Sequence, residues 1–117
     1  MLNIRNDQIG MLSERMVSNF VNRALLHIRA HFPDRVLNQT DEQLRREIGD
    51  AIKRAGEFNF STERQIMCFI DVEVILGRYF YDDPRYLWMK AVLKSSSLND
   101  DDRSRVLLSS AFSVIDA

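Results

Sequence analysis

Apolar residues return every three or four positions through most of the chain, and that spacing suits one kind of secondary structure. Ile9, Leu12, Met16, Phe20, Ala24 and Ile28 fall on a single helical face, widened by Val17, Val21 and Leu25. A first helix is therefore predicted from about Asn6 to His31, with Gly10 weakening its first turn. Phe32-Pro33-Asp34 ends it, because the residue before a proline avoids the helical region.

The later segments repeat the pattern and add start and stop signals. Thr40-Asp41-Glu42-Gln43 has the spacing of a reciprocal capping box, and Leu44, Ile48, Ala51, Ile52 and Ala55 continue as an apolar stripe up to a predicted stop at Gly56. Thr62 and Gln65 have the same spacing ahead of Ile66 to Leu76, the most apolar stretch of the chain. Within it, Ile70, Val72 and Val74 alternate with Asp71 and Glu73, which also fits a half-exposed strand. Helix is the preferred reading, since a cap precedes it and no second strand exists to pair with it; Gly77 would end it. Asp83-Pro84 opens a fourth predicted helix carrying Leu87, Trp88, Ala91, Val92 and Leu93. Asn99 caps a fifth, whose first turn of Asp100, Asp101 and Asp102 complements the helix dipole and whose packing face is Val106, Leu107, Ala111, Phe112 and Ile115. The expected fold is all-α, one compact bundle of about five helices over residues 1–117, without repeat or linker.

Composition narrows the function classes. With 117 residues and 45% apolar content the chain can build one sizeable core. A lone cysteine excludes an internal disulfide framework. The termini and apolar runs show no signal core and no span of about 18–20 apolar residues, so a cytoplasmic protein without membrane association is expected. Net charge is −1, split +2 before and −3 after Gly56, too little for the electrostatic footprint of a nucleic-acid binder. Arginine outnumbers lysine, with only Lys53, Lys90 and Lys94 in the second class; this suits protein interfaces or reflects coding bias alone.

Few residues suggest chemistry. His27 and His31, four apart, could face one metal ion, but a site needs a third ligand and no Glu follows His27 as in a zinc protease motif; ordinary surface or helix-end histidines are expected. Cys68, in an apolar run, is expected to be a buried small side chain rather than a nucleophile. Asp71 and Glu73 diverge on a helix, so one is expected in solvent and the other against an arginine. Asn99 to Asp102 lacks the alternating acids, glycine and terminal Glu of a calcium loop and reads as a cap. With no phosphate loop or nucleophile elbow, no catalytic residue, cofactor or metal is assigned and the protein is expected not to be an enzyme. The segment Arg78 to Trp88 differs: it holds five of the eleven aromatic residues, together with Arg78 and Arg85. It either closes the bundle as core or forms a partner surface, and Tyr79, Tyr81, Arg85, Tyr86 and Trp88 are the candidate contacts. Asp82 and Asp83 argue against phosphate there.

The stretches His27-Ile28-Arg29-Ala30-His31-Phe32-Pro33, Phe60-Ser61-Thr62-Glu63-Arg64, Phe69-Ile70-Asp71 and Leu76-Gly77 are followed by Asp82-Asp83-Pro84, Trp88 and the segment Leu98 to Arg103. In that order they resemble a family of short helical proteins encoded beside spike and effector genes of bacterial type VI secretion systems. The resemblance spans roughly His27 to Leu107 and rests on common residue types. It implies a non-enzymatic accessory and transfers no catalytic residue, while the aromatics Tyr79 to Tyr81 depart from the family pattern. The expected function is an adaptor or chaperone for a secreted effector or spike component. The alternative is an immunity-type inhibitor using Asp82, Asp83 and Asp100, and a more remote one is a metal-dependent enzyme using His27 and His31. A homodimer through the first helix is a further possibility.

Overall fold

The computed structural model describes residues 14–116, so the predicted start of the first helix, including Ile9, Gly10 and Leu12, lies outside the described residues. Among the described residues there are five α-helices: α1 (Glu14–His31), α2 (Asp41–Glu57), α3 (Glu63–Leu76), α4 (Leu87–Leu93) and α5 (Asp100–Asp116). Among the described residues there is no strand, and Ile66 to Leu76 is helical as expected.

Both capping boxes form. Thr40 Oγ1 accepts from Gln43 N at 3.1 Å while Gln43 Oε1 accepts from Thr40 N at 2.9 Å, and Thr62 and Gln65 repeat the exchange at α3. Gly77 ends α3 with φ +108°, a backbone region that a side chain would strain. Asn99 Oδ1 accepts from Asp102 N at 2.8 Å, the predicted cap of α5.

Two boundaries differ from expectation. Helix α2 does not stop at Gly56 but runs through Glu57, and Asn59 takes the left-handed conformation at φ +68°. Asparagine tolerates that region better than other residues with a side chain, so it makes the turn the glycine was expected to make. The Asp83-Pro84 signal starts only a 3₁₀ turn, Pro84–Tyr86, after a first one at Phe80–Asp82; α4 proper begins at Leu87.

Helix α3 is the hub and packs on α5, α2 and α1. Phe69 is fully buried among Phe58, Phe60, Phe80 and Tyr81, with ring centroids 5.8–6.3 Å away. Four arginines fix connections between the elements, two of them through contacts with α3 itself. Arg29 donates to the carbonyls of Val36 and Gln39 and to Asp41, fixing the link from α1 to α2. Arg35 donates to the carbonyl of Ile75 at the α3 C-terminus, at 2.9 Å. Arg54 pairs with Glu73, joining α2 to α3. Arg103 is buried on α5, stacks on Phe60 and donates to the carbonyls of Leu93 and Phe58. None of the described helices is long and apolar enough to cross a membrane.

Candidate functional site

The path from Gly77 to Leu93 is set by what can be buried. Phe80 and Tyr81 point inward, and the second of these corrects an expectation: Tyr81 is only 7% exposed, edge-on to Phe58 at 4.9 Å, and is core rather than a contact residue. In this environment its phenol is pushed up to about 12, by burial first and by the nearby Glu73 carboxylate second. With those two rings anchored, the residues beside them face outward. Tyr79 is 50% exposed and adopts φ +62°, a conformation uncommon for an aromatic residue. Its ring lies under the Arg54 guanidinium at 5.3 Å and edge-on to Tyr81 at 6.0 Å.

Helix α4 has only two turns, and Met89 and Leu93, four apart, take its inner face completely. Leu87 and Trp88 therefore lie off that face, 54% and 49% exposed. Leu87 was not among the predicted contacts; the available signal was two large apolar residues in succession on a helix whose inward stripe begins one residue later. Arg85 is exposed, pairs with Asp83 at 2.8 Å and stacks on the half-buried Tyr86 at 5.0 Å. The Arg85 hydrogen bond holds the Asp83 carboxyl below its ordinary range. Asp82 pairs with Lys90 at 3.1 Å. The structure thus brings Tyr79, Arg85, Leu87 and Trp88 to the outside of one short segment, leaves Tyr86 half-buried against the core and places Tyr81 behind it.

The remaining chemistry-bearing residues occupy other places. His27 Nε2 lies 3.0 and 3.1 Å from the two carboxylate oxygens of Asp71, whose side chain is 9% exposed. The His31 ring is 4.5 Å from that of His27. His27 is therefore not an ordinary surface histidine. Burial raises the Asp71 carboxyl above its usual value, with His27 acting in the opposite sense. Glu73 is also buried and takes both hydrogen bonds of the Arg54 fork at 2.7 Å, so neither carboxylate of the pair is in solvent, contrary to expectation. Opposite faces of α3 are both covered, by α1 on one side and α2 on the other, as expected of the most apolar stretch of the chain. No three described His, Cys, Asp or Glu side chains group so that they could hold a metal ion. Cys68 is half-buried, and burial pushes its thiol up, away from the thiolate a nucleophile requires.

No known family, curated protein or solved structure matches this chain.

Proposed function

We propose that the protein is a non-enzymatic accessory that binds another protein through the outer side of residues 78–88, and that the partner is a secreted effector or spike component held before export. The single observation that carries the reading is the exposure of Tyr79, Leu87 and Trp88, each about half open to solvent on a segment whose neighbouring rings are buried. Large apolar side chains cost free energy in water, and held by a rigid backbone they lose little further freedom when a partner covers them. Trp, Tyr and Arg are also the residue types that dominate binding energy at interfaces, and Arg85 is exposed beside them. The type VI setting follows only from the resemblance of residue types.

The inhibitor alternative would use Asp82, Asp83 and the acidic turn at Asp100, and three of these acids already face a cation. Asp82 pairs with Lys90, Asp83 with Arg85 and Asp100 with Arg103. An accessory that binds through apolar anchors fits the surface better.

Co-purification with the products of neighbouring genes, read by size exclusion with light scattering, tests the reading. A stoichiometric heterocomplex is expected with the native chain, and it should be lost when Trp88→Ala is combined with Tyr79→Ala while the circular-dichroism spectrum is retained. A complex indifferent to both substitutions, or a homodimer alone, would overturn it.

A further inference from the structure

Helix α4 has a side that no described element covers. Met89 and Leu93 take its inner side, and Leu87, Ala91 and Lys94 run in line along the side opposite, with Trp88 next to them. All four are exposed. Ala91 is small and sits between Leu87 and Trp88 around the helix, so a second helix can approach closely there with a large apolar anchor on either side.

Charge specifies what approaches. From Arg85 to Ser97 the chain has three cations and no Asp or Glu, although acids outnumber bases by 17 to 16 over the whole sequence. Arg85 is held by Asp83, and Lys90 by Asp82. Lys94 directly follows the last residue of α4, is exposed and makes no ion pair with a described residue. The Lys90–Asp82 contact joins side chains that are both more than a third exposed, an arrangement that another carboxylate displaces at little cost. An apolar strip edged by ammonium groups is the complement of a helix whose apolar stripe is edged by carboxylates.

We propose that the partner docks an acidic amphipathic helix on the outer side of α4. Its apolar residues pack on Leu87, Ala91 and Trp88, and its carboxylates reach Lys94 and Lys90. This rests on the docking reading above and extends that surface along α4 to Lys94. An anionic membrane is the other surface of suitable sign, and it fits less well. The exposed Asp82 brings a carboxylate to the edge of the strip through Lys90, where it repels lipid phosphates, and a helix of two turns buries little apolar area in a bilayer interface.

The test is titration of the whole protein, followed by backbone NMR, with acetyl-Glu-Leu-Gln-Glu-Leu-Leu-Gln-Glu-Leu-Leu-Gln-Glu-amide and with the same peptide carrying Lys at every Glu. The acidic peptide should shift the amides of Leu87 to Lys94 saturably. The basic one should bind about tenfold more weakly or worse at low salt, and added salt should narrow the gap. Lys94→Glu should shift the preference towards the basic peptide with the circular-dichroism spectrum unchanged. If Lys94 serves only the helix end, the same variant lowers the denaturation midpoint and leaves the preference as it was, which would overturn the proposal. Trp88→Ala should weaken both peptides. Equal binding of the two peptides, lost in Trp88→Ala, would overturn the acidic partner and leave the docking reading standing. No saturable shift from either would also overturn the acidic helix, and the docking reading falls with it only if the co-purified complex is indifferent to Trp88→Ala. Phosphatidylglycerol vesicles that broaden the same amides and displace the acidic peptide would overturn the proposal in favour of a membrane surface.

Discussion

At Asp71 two effects oppose each other: burial penalises the carboxylate, and the His27 imidazole across the α1–α3 interface favours it. Burial is the larger, so the folded-state carboxyl lies above the ordinary value of about 4. The sign of the pH dependence follows. The contribution of Asp71 to stability is complete below the unfolded-state value and is lost as pH rises through the raised folded value. Asp71→Asn keeps the shape and one acceptor for His27 but carries no charge. Relative to the native chain it should be most harmful at low pH and least harmful at neutral pH, read by urea denaturation between roughly pH 3 and pH 7. A penalty that instead grows towards neutral pH would show that the His27 contact outweighs burial. The arginines tell a second story at this scale. Their abundance suggested interfaces, yet Arg29, Arg35 and Arg103 donate to backbone carbonyls at the ends of helices and loops, and Arg54 joins two helices. A planar fork with five donors can close several chain ends at once, which a lysine ammonium does less well.

The helices differ in how much of their definition is local. At α2 the capping box is exposed and the side-chain hydrogen bonds of Thr40 and Gln43 stay within it. At α3 the box is part-buried, and Gln65 also reaches across to Asp101 at 2.7 Å, tying the start of α3 to the start of α5. Thr40→Ala should cost about 1 kcal/mol, the ordinary value for a lost cap. Thr62→Ala should cost more than Thr40→Ala, because loosening Gln65 also loosens the α3–α5 contact; paired urea denaturation curves measure the difference. Helix α4 shows the limit of a propensity argument. Asp83 caps and Pro84 starts a turn as their residue types dictate, but the backbone completes an α-helix only from Leu87, where Met89 and Leu93 can reach the core.

As a whole the described part measures 37 × 36 × 21 Å, a flattened body in which α3 is the helix best covered by others. Its stability therefore depends heavily on one ring, Phe69, fully buried where the segments bearing Phe58, Phe60 and Tyr81 converge. Phe69→Ala should remove about 3–5 kcal/mol, whereas Phe112→Ala, on the exposed side of α5, should cost about 1 kcal/mol or less. Denaturation midpoints of the two variants check this contrast, and a small effect at Phe69 would contradict the hub arrangement. What the sequence by itself determined is local. The helices themselves, the caps at Thr40, Thr62 and Asn99 and the stop at Gly77 each depend on residues within a turn or so of one another, and each is present in the fold; the packing face predicted for α5 is not, since Leu107 and Ala111 are buried but Val106, Phe112 and Ile115 are exposed. The turn at Asn59 was also local but was misassigned to Gly56, because two residues near the end of α2 can both leave a helix. Only the tertiary structure decided that Tyr81 goes in while Leu87 and Trp88 stay out, and that His27 meets Asp71 across 44 positions. Those outcomes depend on the angles at which helices dock, and docking is set by many side chains packing at once rather than by any spacing along the chain.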